Sequence, residues 1–133
     1  MSDLKPEDFK LIEEAAAVIR KNYDAEHFRH TVGAAVRCSS GKVYAGVNVY
    51  SLHGACAEFI AIGAAVSDGE RRFECIVAIG GEHSDQIYPP CGNCRQMLST
   101  YMPNGQVIVE NSGRIRKVAV SDLLPFAYSL PED

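Results

Sequence analysis

The 133-residue sequence predicts an α/β fold in which helices lie on the faces of a layered sheet. Two observations carry this expectation. Apolar spacing switches along the chain between the helical and the strand period, in the order α-β-β-α-β-α-β-β, and Gly-, Ser-, Asn- or Pro-rich turns punctuate the changes. At 47% hydrophobic and 23% charged residues, the chain has the balance of one globular domain, taken as residues 1–133, and is long enough to bury a real core.

The elements follow in order. Phe9 to Tyr23 reads as an amphipathic helix with Phe9, Ile12, Ala16 and Ile19 on one face and Leu11, Ala15 and Val18 beside them. Pro6, Glu7 and Asp8 suit a first turn. Thr31 to Cys38 is apolar and β-rich, Ser39–Ser40–Gly41 is a turn, and Lys42 to Tyr50 alternates, so the pair predicts an antiparallel hairpin. Gly54 to Ser67 predicts a buried helix through Ala57, Ile60, Ala61 and Ala64, stopped by Asp68–Gly69. Cys75 to Ile79 is a short strand. Cys91 to Met102 is a helix closed by Pro103–Asn104–Gly105. Gln106 to Val109 and Arg116 to Val120 are two more strands about a turn at Asn111–Ser112–Gly113, and Ser121 caps a last short turn.

Charge narrows the partners. The formal net charge is −4, and the basic residues are scattered as Arg20–Lys21, Arg71–Arg72 and Arg114–Arg116–Lys117. Nucleic-acid binding needs a concentrated basic surface, so a small molecule is the expected partner. No apolar stretch approaches a membrane span and no signal core precedes the first helix, so neither a membrane nor export is expected and the location read is cytoplasmic.

Five cysteines without a secretory signal argue against a disulfide framework. Cys38 and Cys75 sit in strand-like apolar runs and read as small core hydrophobes. Cys56, Cys91 and Cys94 read differently. Cys56–Ala57–Glu58 and Pro90–Cys91–Gly92–Asn93–Cys94 each fall where a helix begins, and unpaired N–H groups there favour thiolate. Cys91 and Cys94 can point at one ion from a first turn while Cys56 approaches from the neighbouring helix. Three thiolates on zinc leave a fourth tetrahedral position, where water is acidified toward a hydroxide nucleophile. Glu58 is close enough to move that water's proton without binding the metal. Two alternatives remain at this point: a redox pair at Cys91 and Cys94, and a closed structural zinc site of His53, Cys56, Cys91 and Cys94.

These segments resemble the zinc nucleobase deaminases, in which His-or-Cys, x, Glu is followed by Pro–Cys–x–x–Cys. The similarity to small three-cysteine cytidine deaminases runs from about Val32 to Pro125. Gly46–Val47–Asn48–Val49–Tyr50, Cys75 to Gly80 and Cys91 to Gln96 are most similar to the blasticidin S deaminase group. Two departures from the ordinary cytidine pattern agree with that group: Tyr50 stands where Glu follows Asn–x, and Phe59 where Arg follows Cys–Ala–Glu. The tail from Leu124 to Asp133 resembles the cytidine deaminases instead, with Leu130 near the place of a C-terminal Trp.

The resemblance implies a three-layer cytidine-deaminase-like fold, a five-stranded mixed sheet with helices on both faces, assembled as a homotetramer with shared sites. It implies one Zn2+ per chain on Cys56, Cys91 and Cys94, catalysis by Glu58, and a cytosine nucleoside-type substrate. Asn48, Tyr50, His30 and Tyr128 are the implied substrate contacts, and Arg95 offsets the charge of the thiolates.

Overall fold

In the computed structural model, which describes residues 1–131, the first helix begins at Pro6 (α1, Pro6–Arg20), where a missing N–H costs nothing. Glu132 and Asp133 lie outside the described residues. The helix starts and stops three residues earlier than the apolar spacing predicts. Its inward stripe is Asp8, Leu11, Ala15, Ala16 and Ile19, and Phe9, expected inside, is 58% exposed. Asp8 takes the inward place at that end because two cations meet it there, Lys117 Nζ at 2.8 Å and Arg37 Nη1 at 3.0 Å.

The hairpin forms as expected from β1 (Val32–Cys38) and β2 (Val43–Val47), antiparallel with Val36 opposite Tyr44. Helix α2 (Ala57–Ser67) follows, then β3 (Phe73–Gly80) and a two-residue β4 (Gln86–Ile87) too short to leave a periodic signal. Helix α3 (Gly92–Tyr101) leads to β5 (Gln106–Asn111) and β6 (Arg114–Ala119), and a 3₁₀ turn spans Val120–Leu123. Ser112 and Gly113 join β5 to β6 with φ of 53° and 77°, the left-handed pair that a tight two-residue hairpin requires.

The sheet order is β2-β1-β3-β5-β6, with β3 and β5 parallel and every other pair antiparallel, and β4 pairs with β3 beside that path. The mixed five-stranded path expected from the resemblance is therefore present, with β4 as an addition. One core lies between α1 and the sheet (Leu11, Ala15, Ala35, Cys75, Val77, Ile108), and the other between the sheet and α2 and α3 (Ala34, Val36, Ala61, Ile76, Leu98, Val107). Cys38 and Cys75 sit in these cores, and burial pushes both thiols up to about 11, which leaves them inert at neutral pH.

Helix α2 buries Ala57, Glu58, Ala61, Ile62 and Ala65, whereas Ala64, expected inside, faces solvent and Ile60 is half-buried. A helix that is apolar nearly all round carries no polar stripe to fix its rotation, so packing decides it. Gly46 shows how close that packing is. A Cβ there would stand 2.6 Å from Ile60 Cγ2, so β2 admits α2 only because the position is glycine.

Candidate active site

Three strand ends, of β2, β1 and β3, meet at one end of the sheet. Val47 ends β2 opposite Gly33, and Val32 begins β1 opposite Gly80 at the end of β3. The loops leaving β2 and β3 lead to the N-termini of α2 and α3, and the parallel β3–β5 pair requires α3 to cross over between them. Cys56 and Cys91 are the N-cap residues of these helices, both in extended conformation, and Cys94 lies one turn into α3. The expected helix starts at Gly54 and Cys91 thus move to Ala57 and Gly92, because each cysteine is the flanking residue and not the first helical one.

The three sulfurs converge within 4.8 Å of one another, and Cys56 Sγ lies 3.8 Å from Cys91 Sγ. A zinc ion with tetrahedral ligands at about 2.3 Å separates two sulfurs by roughly 3.8 Å, so the observed spacing fits that metal. The electrostatics of the donor set agree. Burial raises the Cys91 thiol, but the N–H groups of Cys94 and Asn93 and the Cys56 thiol outweigh it and bring it below its ordinary value. Burial holds Cys56 and Cys94 above theirs, helped by Cys91 in the first case and by Glu58 in the second. Sulfurs packed this closely cannot all ionise by themselves, and a divalent cation removes the conflict. His53 is outside this donor cluster, so the four residues of a closed site do not assemble.

Glu58, in the first turn of α2, is 6% exposed. Its carboxyl is raised by burial, partly countered by its own N–H and by the Cys94 thiol. Cys56, Glu58 and Cys91 open onto a cavity of about 370 Å³, also lined by Asn48, Tyr50, His53, Val32, Ala78 and Tyr88. Cys94 lies behind, fully buried. Sequence reasoning missed Tyr88 and the small residues Val32 and Ala78. The only signal for Tyr88 was its place just before Pro89–Pro90–Cys91.

Asn48 is a brace as well as a wall. Its Oδ1 accepts from the Thr31 and Val32 N–H groups at 2.8 and 3.1 Å, and its Nδ2 donates to the Arg29 carbonyl at 3.1 Å. Nδ2 carries a second amide hydrogen besides the one given to Arg29. His30 holds the Asn48 carbonyl through Nδ1 at 2.8 Å and does not reach the cavity lining. Tyr50 is 65% exposed with the Arg29 guanidinium 5.7 Å above its ring. A two-way backbone clasp between Val49 and Ala55 closes the loop that carries it. Tyr128 is exposed and off the lining, and its carbonyl accepts from Gln96 Nε2 at 2.8 Å. Arg95 donates from Nε to the Pro90 carbonyl at 2.8 Å and from Nη1 to the Leu123 carbonyl at 3.2 Å. It thereby ties the loop before Cys91 to the 3₁₀ turn.

Cys91→Ala is expected to lose bound zinc and to unfold at lower denaturant, since it removes one of three charged donors and any metal-linked stability with it. Elemental analysis showing full zinc in the variant would exclude Cys91 as a ligand.

A family model described as the cytidine and deoxycytidylate deaminase zinc-binding region matches residues 5–115. A blasticidin-S deaminase of Bacillus cereus is 35% identical over 136 aligned positions, covering 96% of this chain and 96% of the relative. A cytidine deaminase of Sporosarcina psychrophila is 33% identical, covering 90% of each. Among solved structures, a cytidine deaminase from Burkholderia pseudomallei superposes with a TM-score of 0.74 at 35% identity, covering 90% of this chain and 98% of that one. With the mixed sheet and the clustered thiols, these likenesses identify the chain as a zinc-dependent hydrolase belonging to the cytidine and deoxycytidylate deaminase family.

Proposed function

We propose that the protein hydrolyses the 4-amino group of a cytosine nucleoside-type compound, with Cys56, Cys91 and Cys94 as the metal ligands and Glu58 as the proton shuttle. The observation that carries this reading is a buried carboxylate on the wall of a cavity that also holds the three thiols. Zinc bound there supplies a Lewis acid that makes water nucleophilic near neutral pH. Water adds at C4, Glu58 takes one of its protons and delivers it to N3, Glu58 then carries the proton of the new C4 hydroxyl to N4, and the C4–N4 bond breaks to release ammonia and leave the C4 carbonyl of the uracil-type product. The raised carboxyl of Glu58 suits a group that must both accept and give a proton.

In this reading the substrate's sugar lies toward Asn48 and Tyr50. Tyr50 stands where a carboxylate would accept from ribose hydroxyls, and it brings one neutral hydroxyl and the Arg29 cation instead. That pairing favours a sugar bearing an anionic group, such as the unsaturated, carboxylate-bearing ring of blasticidin S. Ordinary cytidine or deoxycytidine deamination is the second reading, supported by the cytidine deaminases among the relatives. Assembly as a homotetramer with shared sites is also proposed. Leu52, 95% exposed in the loop beside the cavity, and fully exposed Phe126 fit surfaces that a second copy covers. His30 and Tyr128 would then act from the rim or on a neighbouring copy's site. No helix among the described residues is long and apolar enough to cross a membrane. A cytoplasmic location is part of the proposal.

Side-by-side measurement of ammonia release from cytidine, deoxycytidine and blasticidin S tests the reading. Blasticidin S is expected to show the highest kcat/KM. Tyr50→Glu is expected to narrow or reverse its advantage over cytidine, because charge-assisted hydrogen bonds to hydroxyls contribute about 1.5–3 kcal/mol, or roughly tenfold and upward. Strong cytidine turnover with none of blasticidin S would return the enzyme to pyrimidine salvage.

A further inference from the structure

Tyr88 is held at four points on the cavity wall. Its N–H donates to the Ala78 carbonyl at 3.0 Å, and its hydroxyl donates to Gln86 Oε1 at 2.9 Å. Pro89 and Pro90, each with a fixed φ, are its whole link to Cys91. Across from the ring is Gly80, where a Cβ would stand 2.2 Å from Tyr88 Cε2 and 2.8 Å from Cδ2. The ring therefore occupies the volume that any other residue at position 80 would fill. A flat group is fixed in this way on the cavity that Cys91 also lines.

From this geometry we propose that Tyr88 is a specificity-determining residue whose ring forms the aromatic wall of the cytosine subsite, with Gly80 as the positioning residue that makes room for it. The proposal rests on the deaminase reading above. Cytosine is planar with π faces, and the neighbouring wall residues Val32 and Ala78 are small and aliphatic. Tyr50, the other aromatic residue on the lining, stands at the exposed mouth. Because the Tyr88 hydroxyl is committed to Gln86, the ring acts by its face and its bulk. Phenylalanine keeps both, and leucine keeps neither the shape nor the π surface.

The test compares zinc-loaded wild type with Tyr88→Phe, Tyr88→Leu, Gly80→Ala and the Gly80→Ala/Tyr88→Leu double variant. Zinc content and circular dichroism are recorded for each, because alanine at position 80 also approaches the Thr31 carbonyl, at 3.0 Å. Steady-state kinetics give KM and kcat for cytidine, and calorimetry gives the Kd of the product, uridine, without turnover. Tyr88→Phe is expected within about twofold of wild type. Tyr88→Leu is expected to raise both KM and the uridine Kd by about tenfold, the scale of one base–aromatic stack, with a smaller change in kcat. Gly80→Ala is expected to move the same constants in the same direction, and the double variant to be no worse than Tyr88→Leu, since both act on one ring. Folded Tyr88→Leu with unchanged KM and Kd overturns the proposal whether or not Gly80→Ala folds. A wild type that releases no ammonia from any cytosine nucleoside overturns the deaminase reading instead.

Discussion

Glutamine in place of Glu58 is expected to lower kcat for ammonia release by about 10²–10⁴-fold while zinc content and the unfolding midpoint stay near wild type. Glutamine has nearly the size of glutamate, so it fits the same buried place in α2 and leaves Ala57, Ala61 and Ile62 packed as they are. It cannot accept a proton at neutral pH and return it. Glu58 is not one of the clustered donors Cys56, Cys91 and Cys94, so the change removes no sulfur ligand. Kinetics, elemental analysis and urea unfolding on one preparation separate the roles. His53→Ala serves as the contrast and is expected to keep its zinc, because His53 lies outside the cluster. Zinc loss in His53→Ala with full activity in Glu58→Gln would replace the catalytic assignment with a closed structural site.

How much of this was legible in the sequence depends on whether a signal is local. Cys56, Glu58, Cys91 and Cys94 were readable because each pair lies within one helical turn, and punctuation brings the expected helix starts, Gly54 and Cys91, close to the observed Ala57 and Gly92. The convergence of two such turns needed only α2 and α3 to leave the same end of the sheet, which the β-α-β order supports. The rotation of α2 was not readable, since Ala64 and Ala65 are chemically alike and only contact with the sheet distinguishes them. Asp8 was read as a first-turn carboxylate, which local sequence favours, whereas its burial depends on Lys117 more than a hundred residues away. Tyr88 was missed for a related reason. Its ring matters because Gly80 leaves a slot, and a contact between the end of β3 and the residue after the two-residue β4 leaves no periodic signal. Asn48 was legible as a residue lining the cavity, but its three side-chain hydrogen bonds to residues 29–32 were not.

The second large effect is on stability. Asp8→Asn is expected to cost about 3–5 kcal/mol at neutral pH, the scale of removing one partner from a buried ion cluster. The Asp8 side chain is wholly buried, with Lys117 Nζ at 2.8 Å, Arg37 Nη1 at 3.0 Å and the Lys5 N–H at 2.8 Å. These contacts join α1 to β1 and β6, and Arg37 continues to Glu74 at 3.5 Å. An amide keeps the shape but takes the carboxylate away from Lys117 Nζ in a desolvated place and leaves Arg37 with the half-exposed Glu74. Burial pushes the Asp8 carboxyl up, yet the Lys117 ammonium, the Lys5 N–H and the Arg37 guanidinium together hold it below its ordinary value. A carboxyl with a lowered folded pKa contributes stability that is present above its unfolded value, 3.8, and is lost as pH falls through the folded one. Urea unfolding of wild type and Asp8→Asn at neutral pH and at successively lower pH should therefore show the gap closing only below the ordinary carboxylate range. The kcat of folded Asp8→Asn should stay near wild type, because the cluster lies on the α1 side of the sheet and the cavity on the side of α2 and α3. A cost below about 1 kcal/mol, or a gap that does not change with pH, would mean that the cations Arg37 of β1 and Lys117 of β6 are already compensated without Asp8.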